Sequence, residues 1–217
     1  MIDRLAYFAN KKDFEGYFNF TTGKKAIFEP HYNLAPAHEI PVLIGPDNGD
    51  NLRILRARWS LDEPGKRSEG GYNVTVEKAL KNLEKPEFSP CIVAVSGFYI
   101  WKNEDKKDQP FFVRMLNETV MSIAGIVRHD PDNKDKRSCA IVTTEANALI
   151  QPIADTMPLL FTSALAKSWL IKPDETENIL LQAEKLFLLT EMTVHRVSKK
   201  VNDPKNNDPK MIQPIPK

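Results

Sequence analysis

Between Cys91 and Thr143 the sequence offers five apolar runs in close succession, with only short polar connections between them. They are 91–95 (CIVAV), 98–102 (FYIWK), 111–116 (FFVRML), 120–127 (VMSIAGIV) and 138–143 (SCAIVT). The connections NEDKKDQ, NE and DPDNKDK are charged turns, too short to hold a crossover helix. Parallel neighbours need crossovers of a dozen or more residues, so these strands are expected to pair antiparallel. Further strands are expected at 41–44 and 52–58, around the turn signal PDNGDN, and at 192–197. About seven strands in consecutive runs, without βαβ alternation, predict an α+β fold: one domain, 1–217, with an antiparallel β core or barrel.

The helices are expected at the periphery. Phe14, Tyr17 and Phe18 share helical spacing over 12–20, with Asp13 as a cap. Val76, Leu80 and Leu83 share a face over 75–84, and Ser163 opens a helix over 163–171. A last helix is predicted from Asp174 to 187, after Pro173. Pro30, Pro36 and Pro41 keep the chain between them extended, and 62–71 (DEPGKRSEGG) reads as an exposed loop.

Composition excludes several classes. A chain of 217 residues buries enough surface, roughly 70%, to need neither disulfides nor a structural metal. Thirty Lys and Arg against 29 Asp and Glu exclude a strongly basic nucleic-acid coat, though not a local patch. Cys91 and Cys139 cannot form a disulfide scaffold, which suggests a reducing compartment. No apolar run reaches the roughly 18–20 residues of a membrane helix. The opening MIDRLAYFAN, with Asp3, is no secretory signal, so the expectation is a cytoplasmic protein with no membrane partner.

The common catalytic motifs are absent: no Gly-rich phosphate loop, Cys-x-x-Cys, nucleophile elbow or His-Glu-x-x-His. His31, His38, His129 and His195 are scattered. His31 and His38 could meet in space, but no Cys or acidic cluster accompanies them, so neither metal nor cofactor is expected. Cys91 and Cys139 lie in apolar strands and read as small buried hydrophobes.

Taken in order, several segments resemble one family along nearly the whole chain. Tyr32-Asn33-Leu34-Ala35-Pro36, Arg58-Trp59-Ser60-Leu61 and Asn73-Val74-Thr75-Val76-Glu77 come first. Lys85-Pro86-x-Phe88, Cys91 through Trp101 with Lys102, and Gln109-Pro110-Phe111-Phe112 follow. Met157-Pro158 and the closing Val197-Ser198, Val201-Asn202 and Met211-Ile212-x-Pro214 complete the series. The series is similar to the SOS response-associated peptidase (SRAP) family of abasic-site sensors.

That resemblance implies a chemistry. In the family a Cys exposed by removal of the initiator Met attacks the aldehyde of an abasic site in single-stranded DNA. Amine and thiol together close a thiazolidine ring, helped by a strand Glu and by a His before the Met-Pro pair. The same residues are associated with self-cleavage, hence the peptidase label. An α-amine with a pKa near 8 and a thiolate are suitable nucleophiles.

At each of those positions this chain differs. The Cys is Ile2, whose bulk should also keep Met1 in place; the Glu is Ile100, the His is Ala154 and the DNA-contacting Arg is Thr75. The resemblance therefore implies a divergent member without catalytic residues. Arg4, Asn33, Pro36, Asn73 and Thr143 remain at positions expected to contact single-stranded DNA, with Lys66, Arg67, Lys78 and Lys81 available for phosphates and Trp59 and Trp101 for stacking. The leading expectation is a non-covalent nucleic-acid-binding protein. One alternative is a small-molecule or protein-partner module in a pocket made apolar by Ile2, Ile100 and Ala154. The other is residual cross-linking or peptidase activity.

Overall fold

The five runs fold as five long strands. The computed structural model describes residues 2–19, 29–46, 52–62, 71–104, 107–133, 136–186 and 191–216. In chain order the first elements are β1 (Leu5–Tyr7), α1 (Lys11–Phe18), β2 (His31–Leu34), β3 (Glu39–Ile44), β4 (Arg53–Trp59), β5 (Asn73–Thr75) and α2 (Val76–Leu83). The long strands follow: β6 (Phe88–Val95), β7 (Gly97–Glu104), β8 (Lys107–Met115), β9 (Met121–His129) and β10 (Arg137–Glu145). Then come β11 (Thr156–Pro158), β12 (Leu160–Phe161), α3 (Ser163–Ile171), α4 (Thr176–Lys185) and β13 (Met192–Arg196). The fold is α+β, with mostly antiparallel sheets.

Five strands close on themselves. β10 pairs β4, β4 pairs β3, β3 pairs β6, β6 pairs β9, and β9 returns to β10. A second sheet runs β13-β8-β7-β1-β2. The antiparallel expectation holds for most pairs, but β10 runs parallel to both β4 and β5. These parallel partners are far apart in sequence, with α2 and β6–β9 between β5 and β10, so the chain has room to return in the same direction.

β10 changes neighbours along its length. Ser138 and Cys139 pair with β4, while Ile141 to Thr143 pair with β5. On its other side, Arg137 to Ile141 pair with β9 and Thr143 to Glu145 with β11. The second half of β10 thus leaves the barrel and carries Thr143, Thr144 and Glu145 outward.

The barrel is tight. A Cβ added at Gly125 would stand 2.9 Å from Cys91 Sγ and 3.1 Å from the Ala140 carbonyl oxygen, so only glycine fits without local movement. The buried Trp169 of α3 donates from Nε1 to the carbonyls of Cys91 (3.0 Å) and Gly125 (3.3 Å), fixing that helix to the barrel wall. Each large apolar side chain buried in this way contributes about 1.5–3 kcal/mol.

Local chemistry corrects two expected caps. The N-cap of α1 is Asn10, whose side chain accepts from the Asp13 N–H; Asp13 closes a capping box from within the first turn. The cap of α3 is Thr162, whose Oγ1 accepts from the Leu165 N–H, one residue before the expected Ser163. α2 matches its predicted span, with Val76, Leu80 and Leu83 packed against the core. The final helix is split into a 3-10 turn, Pro173–Glu175, and α4. The turn at 47–51, most of the loop at 62–71 and position 187 lie outside the described residues. No helix among the described residues is long and apolar enough to cross a membrane.

Candidate functional site

Ile2, Asn73, Thr75, Ile100 and Thr143 lie where residues 2–7, β7, β5 and the outer half of β10 meet. Ile2 is fully buried, and its carbonyl accepts a 2.6 Å hydrogen bond from Asn73 Nδ2. Asn73 opens β5; two residues later Thr75 ends it and caps α2, its Oγ1 accepting from the Lys78 N–H. Thr143 lies opposite Thr75 on β10, and its Oγ1 donates to the Val74 carbonyl at 3.2 Å. Ile100 follows directly on the Tyr99 N–H that donates to the Arg4 carbonyl, so β7 runs alongside residues 2–4.

Ile2 and Ile100 are 0% and 1% exposed and belong to one continuous apolar core. Ala154 is half-buried against the same core, while Thr75 is exposed. Hydrocarbon therefore fills the surroundings of Ile2 and Ile100. The buried Asn73–Ile2 bond can be tested directly. Asn73→Ala leaves the Ile2 carbonyl unpaired and is expected to cost about 2 kcal/mol, or roughly 4–8 °C in melting temperature. A calorimetric melt unchanged within a degree would show that this bond does not anchor the N-terminal segment.

The five expected nucleic-acid contacts have different surroundings. Asn33 is fully buried, with Nδ2 donating to the carbonyls of Val201 (3.1 Å) and Asp203 (2.9 Å). Pro36 is the second residue of a tight turn: the His38 N–H donates to the Ala35 carbonyl, and Ala37 takes a φ of 73°. Asn73 and Thr143 make the internal bonds already described. Arg4 sits partly buried near the surface, its Nη1 donating to the Asp3 carbonyl at 2.7 Å and Nη2 to the Asn202 carbonyl at 3.3 Å. One oxygen of Asp3 is buried without a hydrogen-bond partner; that desolvation raises the carboxyl's pKa, while Arg4 pulls it down.

The aromatic candidates separate clearly. Trp59 is fully buried, with Nε1 donating to the Tyr72 carbonyl at 2.9 Å, so no base can stack on it. Trp101 is only half-buried, with Nε1 donating to Asn202 Oδ1 at 2.8 Å. Asn202 thus joins Arg4 to Trp101, and the exposed Lys199, Lys200 and Lys205 lie on the same segment. The sequence places Asn202 in the closing Val201-Asn202 motif but assigns no role to it or to these lysines. The Val-Asn pair of the closing motif was the available signal. Lys78 and Lys81 lie exposed on α2, while Lys66 and Arg67 fall outside the described residues.

His31 and His38 do meet, with ring centroids 5.8 Å apart. Each uses Nδ1 to accept a backbone N–H, from Asn33 and Ala35. Burial lowers both pKa values, helped by His38 at His31 and by Arg4 at His38. Cys91 and Cys139 are fully buried, and desolvation pushes both thiols well up, so neither presents a thiolate. Among the described residues, no three His, Cys, Asp or Glu side chains could hold a metal ion.

A cavity of about 580 Å³ opens beside Thr75 and Thr143, where β10 has left the barrel. α4 forms one wall through Ala183 and Glu184. Neither Ile2, Ile100 nor Ala154 lines it.

A sequence model of the family described as SOS response associated peptidase (SRAP) matches residues 1–204. The chain belongs to the SRAP family. Among its relatives is Bacillus subtilis YoqW, named an abasic site processing protein; it is 30% identical over 98% of this chain and 99% of its own length. Escherichia coli YedK, with the same description, is 26% identical over 85% of this chain and 84% of its own. A crystal structure of a Bacteroides thetaiotaomicron protein superposes with a TM-score of 0.74 at 20% identity, covering 98% of this chain and 99% of that one. That likeness shows a fold shared along nearly the whole chain.

Proposed function

We propose that this SRAP protein binds single-stranded DNA without forming a covalent adduct at abasic sites. The observation that carries the reading is the burial of Ile2 and Ile100 in one apolar core. An amine alone can condense with an aldehyde to an imine, losing water. Only a neighbouring thiol can add to that imine and close the stable ring, and Ile2 has none. The relatives named as abasic site processing proteins support a DNA partner. Of the expected contacts, Arg4 has the strongest case, because Asn202 sets it beside the half-buried Trp101 and the lysines at 199, 200 and 205. Cations beside an aromatic face form a stacking platform for single strands. A cytoplasmic location fits the two unpaired cysteines.

Two measurements test the reading. Incubation with abasic single-stranded DNA followed by a denaturing gel is expected to leave the DNA unshifted; a retained band would overturn the loss of chemistry. Fluorescence polarisation is expected to detect binding that weakens steeply with salt. Trp101→Ala should weaken it roughly tenfold, the loss of about 1–3 kcal/mol of stacking. Salt-insensitive or absent binding would refute the DNA partner.

A further inference from the structure

The cavity beside Thr75 and Thr143 is built for the opposite charge. Three carboxylates line it, from Glu77, Glu145 and Glu184, and no Lys or Arg does so among the described residues. Two are held in place by hydroxyls of the same wall: Thr75 Oγ1 donates to Glu77 Oε2 at 3.2 Å, and Thr144 Oγ1 to Glu184 Oε1 at 3.1 Å. A phosphate would meet like charge here, partly screened because Glu77 and Glu145 are exposed and Glu184 is half-buried.

Asn147 supplies an independent observation. It lines the cavity, is only 3% exposed, and uses Oδ1 to accept the N–H groups of Leu149 and Ile150, both at 3.1 Å. Those two bonds fix the amide's orientation and leave Nδ2 a buried donor without a partner. Such a group costs free energy until an acceptor reaches it. Much of the remaining wall is apolar, with Met157, Leu160 and Leu186, interrupted by Thr143 and Thr156.

We propose that this cavity binds a small organic cation: an amine or guanidinium on an apolar stem, with a carbonyl oxygen for Asn147 Nδ2. A metal ion fits poorly, since no three acidic, His or Cys side chains among the described residues come close enough together to hold one. Carboxylates spread around a cavity of about 580 Å³ instead suit an extended ligand whose body fills the apolar part. The cavity, bordered by Thr75 and Thr143, shares no lining residue with the Arg4–Trp101 surface, and the proposal does not depend on DNA binding.

Nα-acetyl-arginine amide carries the cation, the stem and the carbonyl, and its citrulline counterpart is a neutral near-isostere. Calorimetric titration should detect the arginine probe at a Kd of about 1 mM or tighter. The citrulline probe should bind at least roughly tenfold more weakly, the scale of one charge-assisted hydrogen bond. The variant E77Q/E145Q/E184Q keeps side-chain acceptors for Thr75 and Thr144; if it melts like the parent, it should lose the arginine preference. Equal binding of the two probes to the parent, no binding of either, or an unchanged preference in the folded variant would each overturn the proposal.

Discussion

Ile100→Glu is expected to lower the melting temperature by roughly 6–12 °C, a loss of about 3 kcal/mol for a chain of 217 residues. The resemblance to the SRAP motif places a carboxylate here, so the change would restore a family residue. Yet Ile100 is 1% exposed within a core that also contains Ile2. A carboxyl introduced there stays protonated to higher pH when folded than when unfolded. Its folded pKa is raised, so the extra penalty is small below the unfolded value near 4.3 and grows as pH rises above it. Melting curves at pH 5 and pH 8 should therefore differ, with the larger loss at pH 8. Ile100→Leu, which conserves volume, should cost less than about 1.5 kcal/mol. If Ile100→Glu melts like the parent at both pH values, the site has kept a polar environment and the proposed loss of chemistry needs revision.

Gly97→Ala should be comparably damaging, for a different reason. Gly97 opens β7 in the Gly-Phe-Tyr segment, where β7 pairs antiparallel with β8 through Phe98 and Val113. A Cβ at this position would overlap the Phe112 ring and the Val113 carbonyl oxygen. A ring can turn aside, but a carbonyl within a strand ladder moves only with its strand. The expected cost is about 3 kcal/mol, at the upper end of ordinary overpacking. Urea unfolding should show the midpoint falling, and trimming the ring with a second change, Phe112→Leu, should not restore it. A Gly97→Ala midpoint within error of the parent would show that β7 and β8 can separate at this point. The glycine of the motif would then have no steric basis.

The long strands were legible because each centres on a short, mostly apolar run set off by polar or charged connections, as with 120–127. The short ones were not. β5, β11 and β12 have two or three residues each, and the outer half of β10 supplies the partner that makes β5 and β11 strands. The parallel β4–β10 and β5–β10 pairings were hidden for the same reason, since register between distant segments leaves no local trace. At the site, Ile2, Thr75, Ile100 and Ala154 stood out only by comparison with a motif; as residues, an isoleucine in a strand is unremarked. The role of Asn202 was hidden because its partners, Arg4 and Trp101, lie 198 and 101 residues away. The cavity depends on where α4 lands, which its own amphipathic pattern does not encode.

The Asn33 amide has a consequence in time. Its two acceptors, the carbonyls of Val201 and Asp203, follow it by 168 and 170 residues. At translation rates of roughly 5–20 residues per second, the nascent chain waits roughly 8–34 s between making the donor and making the acceptors. Throughout that interval a side chain destined for complete burial has neither of these partners, so the sheet edge at β2 cannot reach its final form. Closure of the second sheet around β2 therefore waits for the segment carrying Val201 and Asp203, and a ribosome stalled shortly before Val201 would hold a chain in which this clasp is missing.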